Sequence, residues 1–113
     1  MNSLRETQDG DLTIVELLGK MDASTTPGIE ARLLELIRAG NKYLALDFAG
    51  VTYLASSGLR MLLVVARMAN ALEGKLVLHQ LDDAMMETLE MTGFSPYFAF
   101  AANRDEALRQ LRE

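Results

Sequence analysis

Val51-Thr52-Tyr53-Leu54-Ala55-Ser56-Ser57-Gly58-Leu59 marks the point where a short apolar strand runs out and a long helix begins at two hydroxyls and a glycine. A helix start exposes backbone N–H groups with no intrahelical acceptor and carries the positive end of the macrodipole, so it favours an acceptor oxygen or an anion. Projecting the helix from Gly58 to about Leu72 at roughly 100° per residue puts Met61, Val65, Met68 and Leu72 on one side, the expected core face. Arg60, Leu63, Val64, Arg67 and Asn70 fall on the other. That second side is polar with two apolar interruptions, either covered by another helix or open to a partner.

Upstream, Tyr43 to Phe48 is almost continuously apolar apart from Asp47, the pattern of a strand buried on both faces and central in a sheet. Before it, Ile29, Leu33, Leu36 and Ile37 recur at helical spacing, with Thr26 as the expected N-cap ahead of Pro27 and Gly40 as the stop. The chain opens with candidate strands Leu4 to Gln8 and Leu12 to Leu18 around an Asp9-Gly10 hairpin turn. Downstream, Lys75 to His79 reads as a strand. Asp82 or Asp83 caps a helix carrying Met85, Met86 and Leu89, and Gly93 ends it. Tyr97 to Phe100 reads as a short edge strand, and Asn103 with Glu106 as a capping box for a last helix containing Leu108 and Leu111. Strands alternating with helices imply crossovers, hence an α/β fold with parallel strands and the hairpin at one side.

The 113 residues predict a single domain, 1–113, and 50% hydrophobic with 24% charged residues is the composition of a folded one. No cysteine is present, which removes disulfides and thiolate chemistry. A formal charge of -5 with scattered Lys and Arg argues against direct nucleic-acid binding. The apolar run Met61 to Ala66 is closed by Arg60 and Arg67, far short of the roughly 18 residues of a membrane span. Met1 to Asp11 has no basic and apolar leader pattern, so the expected location is cytoplasmic.

Catalysis by Ser57 with His79 and an aspartate is the obvious enzyme reading. Ala55-Ser56-Ser57-Gly58 lacks the first glycine of the G-x-S-x-G elbow, however, and a lone histidine ending an apolar strand reads as a satisfied structural residue. No His or Cys cluster suggests a metal, and Gly50, Gly58 and Gly74 meet neither phosphate-loop spacing, so no cofactor is expected. The methionines at 61, 68, 85 and 86 read as packing. For the serines the simplest reading is that Ser56 or Ser57 caps the helix, worth about 1 kcal/mol. The sharper one is that a hydroxyl at a helix start is a good place to add a phosphate of charge about -2.

Gly19-Lys20-Met21-Asp22, the run Leu44 to Leu59, Met91-Thr92-Gly93-Phe94 and Glu106-Ala107-Leu108 together resemble the STAS domains, the anti-sigma-factor antagonists of bacterial partner switching. The resemblance spans nearly the whole chain and implies a mixed sheet with an N-terminal hairpin, parallel strands and about four helices. It further implies a non-enzymatic switch that binds an anti-sigma factor, often a serine kinase, and is released when that kinase phosphorylates it. Carried over by position, the phosphoacceptor falls on Ser57, Asp22 matches an acidic position near it, and Gly58 and Leu59 match the helix start. Many phosphorylated members have Asp-Ser-Ser-Gly, and here the aspartate is Ala55, which removes a charge and an acceptor beside the serine. The docking surface expected on this basis is Ser56 to Arg60 with Leu63, Val64 and Arg67. The alternative is a STAS scaffold in a signalling assembly or membrane transporter complex, without phosphoryl transfer.

Overall fold

The computed structural model describes residues 4–113; residues 1–3, the start of the segment read above for a leader, lie outside it. Strand β1 (Leu4–Asp9) turns through Gly10, at φ +61°, into β2 (Leu12–Met21). There follow α1 (Thr26–Arg38), β3 (Tyr43–Leu54), α2 (Ser56–Ala71), β4 (Lys75–His79), α3 (Asp83–Met91), a 3-10 turn at Ser95–Tyr97, β5 (Ala99–Ala101) and α4 (Arg104–Arg112). The five strands lie in the order β1-β2-β3-β4-β5, antiparallel between β1 and β2 and parallel throughout the rest. This is the mixed α/β sheet expected from the pattern, with the hairpin at one edge and β3 in the centre.

Helices cover both faces, which explains why β2 does not alternate cleanly. Its Val15, Leu17 and Met21 enter the larger core, shared with Leu33 of α1, Leu62 of α2 and Leu89 of α3. Its Leu12 and Ile14 meet Ala107, Leu108 and Leu111 of α4 on the other face. An apolar residue on either side of the strand is therefore buried, and the period-2 signal disappears.

Several local readings shift. Thr26 is the first residue of α1 and buried, and the N-cap position is Thr25, whose side chain caps nothing. Its hydroxyl instead donates to the Lys20 carbonyl at 2.7 Å and accepts from the Asp22 amide at 3.1 Å, which ties the end of β2 to the helix. Strand β3 runs on past Phe48 to Leu54, absorbing the first half of the Val51–Leu59 stretch. Its register against β2 slips twice, between Glu16 and Leu18 and between Gly19 and Lys20. Asp47 stabilises that irregular stretch by accepting from the Ala49 amide at 2.8 Å. Beyond Gly93 the chain makes the 3-10 turn before pairing, so the edge strand starts at Ala99 rather than Tyr97.

Helix α2 begins two residues before Gly58 and packs in a rotated phase. Met61 and Val65 are buried as expected, but Leu62 and Ala69 complete the core face, Met68 is half-buried and Leu72 is 42% exposed. The run Met61 to Ala66 is apolar on nearly every side, so contact with the sheet sets the phase. Asp82 caps α3 by accepting from the Met85 amide at 2.8 Å. Asn103 caps α4 through the Glu106 amide at 2.9 Å, while the Glu106 carboxylate reaches back to Ala102 rather than to the cap residue.

Candidate functional site

The site is built where β3 hands over to α2 across a single residue. Ala55 is extended, at φ -86° and ψ 171°, and its amide donates to the Met21 carbonyl at 2.9 Å, fastening the junction to the end of β2. The Gly58 and Leu59 amides both return to the Ala55 carbonyl, at 3.0 and 3.2 Å. Ala55 thereby occupies the capping position, and it has no side-chain oxygen. Neither Ser56 nor Ser57 caps the helix, because both already lie inside its first turn. The cap expected from the sequence is therefore absent, and among the described residues no side chain caps the first amides of α2.

Ser56 is exposed and Ser57 half-buried. Gly58 is buried so tightly that a Cβ would stand 2.7 Å from Leu54 Cδ1 and 3.2 Å from the Met21 carbonyl oxygen. Leu59 is also in the core, at 3% exposure. These two residues hold the surface up from beneath and present no side chain to a partner. Arg60 points outward, its Nη1 3.9 Å from Glu30 Oε1 on α1. Leu63 and Val64 are half-buried and Arg67 is exposed, so the outer side of α2 is open over its middle turns.

Asp22 sits directly after Met21, whose carbonyl holds the junction. Its Oδ1 accepts from the Ser24 hydroxyl at 2.7 Å, the Ser24 amide at 3.0 Å and the Thr25 amide at 3.3 Å. The Ser24 hydroxyl, then the two amides, hold its carboxyl below the usual aspartate range. A fixed carboxylate thus stands on the loop tied to the start of α2. Tyr53, two residues before the junction, is 56% exposed and was not singled out in the sequence. The signal for it is a large aromatic in the exposed last third of β3, between buried Val51 and Leu54.

Ser57 and His79 are not brought together. Helix α2 packs on one face of the sheet, whereas His79 shares the opposite face with Val77 in the α4 layer. His79 is fully buried and neither ring nitrogen has a hydrogen-bond partner among the described residues. It is thus not the satisfied histidine expected. Among the described residues no group of three or more His, Cys, Asp or Glu is placed to hold a metal, and no helix is long and apolar enough to cross a membrane.

The STAS domain model matches residues 3–107, a range that contains Asp22, the junction and all of α2. The chain belongs to the STAS domain family. A relative in Bordetella bronchiseptica, the protein BtrV, named as a candidate anti-sigma factor antagonist, is 33% identical over 88% of this chain and 84% of its own length. Among solved structures, a Thermotoga maritima protein described in the same terms superposes with a TM-score of 0.92 at 13% identity, covering 97% of this chain and 95% of that one. The phosphorylated form of Bacillus SpoIIAA gives 0.75 at 21% identity, covering 96% and 99%. The STAS assignment thus rests on sequence as well as shape.

Proposed function

We propose that this STAS domain acts as a single cytoplasmic unit that binds a serine-kinase anti-sigma factor through the surface around the α2 start, and that phosphorylation of Ser57 releases it. The observation that carries the reading is the uncapped α2 N-terminus with Ser57 in its first turn. Its amides have no competing side-chain oxygen, so a phosphate on Ser57 Oγ meets free donors and the positive end of the helix dipole. The kinase supplies the γ-phosphoryl group of ATP; the Ser57 hydroxyl loses its proton to form the new O–P bond, and ADP leaves. The name of the BtrV relative and the existence of SpoIIAA in a phosphorylated form support the reading.

Docking uses Ser56, Arg60, Leu63, Val64 and Arg67, with Asp22 at the rim and Gly58 and Leu59 holding the helix start in place. Phosphate adds a charge of about -2. Desolvating it unpaired in the interface costs several kcal/mol, against the roughly 8 kcal/mol of a micromolar complex. Ala55 in place of a carboxylate lowers the repulsion that the incoming phosphate meets.

Incubation with the kinase that co-purifies with the chain and ATP, followed by mass spectrometry, tests this directly, with phosphate expected on Ser57. Ser57→Asp is expected to weaken the complex at least tenfold, and Ser57→Ala to bind and stay bound in the presence of ATP. Modification at another residue, or none, removes Ser57 from the role.

A further inference from the structure

Strand β1 is an outer strand of the sheet, and among the described residues nothing bonds to the backbone along its free side. Its hairpin closes on Asp9 and Leu12 across Gly10 and Asp11, and this sets the alternation of the pairs that follow. Asp9, Thr7 and Arg5 turn their N–H and C=O groups inward to β2, while Gln8 and Glu6 turn theirs outward. The side chains alternate with the same period. Arg5 and Asp9 lie on the α4 face, where they approach Glu16 at 3.9 Å and Arg112 at 3.1 Å. Glu6 lies on the α1 face, where Arg32 holds its two oxygens at 2.5 and 2.7 Å. Every residue of β1 after Leu4 is exposed.

A free edge of this kind accepts another strand unless its charges oppose the addition. For a second copy of β1 running antiparallel about a twofold axis, the pleat limits the register to those centred on a residue, so that facing side chains share a face. Centring on Arg5, Glu6 or Asp9 sets like charges opposite each other, and centring on Gln8 aligns no opposite charges. Centring on Thr7 sets Arg5 of each copy opposite Asp9 of the other, with the two threonines side by side between these pairs. Glu6 and Gln8 then face each other across the copies, and each such pair exchanges its outward N–H and C=O groups. Opposite charges and threonines directly across strands both favour pairing. The side chains of Arg5 and Asp9 are 70% and 50% exposed, and Arg112 engages only Oδ2 of Asp9, which leaves Oδ1 for a second cation.

We propose that β1 is a self-association edge: two copies of this chain pair antiparallel about Thr7 and join their sheets, with Arg5 of each copy paired to Asp9 of the other. Charges that would ordinarily blunt an edge select its partner and register here, because only one of the centred alignments from Arg5 to Asp9 turns them into attractions. The proposal is independent of phosphorylation. Ser57 follows β3, which lies two strands in from this edge.

Sedimentation equilibrium of the full chain up to about 1 mM is expected to show monomer and dimer with a dissociation constant on the order of 100 µM, the weak affinity of a short, polar interface. Arg5→Glu and, separately, Asp9→Arg are each expected to weaken the dimer about tenfold or more, by setting like charges across both pairs. Combining the two substitutions is expected to restore pairing to within about threefold, because the introduced glutamate and arginine again face each other. In a mixture of isotope-labelled and unlabelled chain, filtered NOE spectra are expected to show an Hα–Hα contact between Thr7 of the two copies. The centred threonines form a non-hydrogen-bonded pair, whose Cα atoms approach to about 4.5 Å. Monomer alone at the highest concentration, a dimer undiminished by either single substitution, no recovery in a folded double variant, or intermolecular contacts centred away from Thr7 overturns the proposal. The Thr7 contact is read in the parent chain, so it decides the matter even where a variant does not fold.

Discussion

A Cβ added at Gly58 would meet Leu54 Cδ1 at 2.7 Å and both the Cβ and the carbonyl oxygen of Met21 at 3.2 Å. One of these neighbours is a flexible side chain, but Met21 is the residue whose carbonyl anchors Ala55. Relief is therefore available only by moving the junction itself. Gly58→Ala is expected to lower stability by about 1–3 kcal/mol, the usual cost of overpacking, seen as a lower urea midpoint with unchanged slope. A midpoint equal to that of the parent chain would show that α2 can shift freely against β2. The sequence displays a glycine at a helix start, which reads equally well as docking surface or as close packing. What decides between them is contact with a residue remote in the chain, and no local pattern contains it. The same holds for Ser57, whose place inside the first turn follows from the bond between Ala55 and Met21.

At the scale of the element, α2 has a start without a cap and a middle without a polar stripe to set its phase. Substituting Ala55→Ser puts a side-chain oxygen at the extended position before the first turn, where it accepts from a free amide. The expected gain is about 1 kcal/mol, read as a rise in thermal midpoint. No rise, or a fall, would mean that Ala55 does not hold the capping position. The variant also bears on regulation, because the added oxygen competes for the amides that would receive a phosphate on Ser57. Elements with distinct punctuation were legible residue by residue: β4 lies at Lys75–His79 as read, and Asp82 and Asn103 cap the helices they precede. The rotation of α2 was not legible, since with Met61 to Ala66 apolar on nearly all sides only the sheet beneath selects Leu62 and Ala69 over Met68 and Leu72.

Across the whole molecule, the two-layer covering that hid the alternation of β2 also buries one imidazole in a half-buried row of cross-strand partners. Glu16, Asp47, His79 and Ala101 pair successively across β2, β3, β4 and β5, and Arg104 of α4 reaches Glu16 at 3.7 Å. Arg5 of β1 lies 3.9 Å from the same carboxylate. His79 is thus faced by an acid on its own sheet and a cation on the helix above, with neither ring nitrogen hydrogen-bonded. Burial lowers its pKa below the ordinary 6.5; Asp47 opposes that shift and Arg104 adds to it. The folded chain therefore binds this proton less readily than the unfolded chain. Between the lowered folded value and 6.5 the unfolded state holds more protons, so stability falls as pH drops through that interval and levels off above it. Each unit separating the two values is worth about 1.4 kcal/mol. Glu6, held low by the Arg32 guanidinium, loses its contribution only below the ordinary carboxylate value of 4.5, in a separate window. Urea midpoints measured from pH 7.5 to 5 are expected to decline below 6.5 in the parent chain and to stay level over the same range in His79→Leu. A parent chain whose midpoint is flat there, or a His79→Leu chain that retains the decline, would show that the buried imidazole is not what couples this fold to protons.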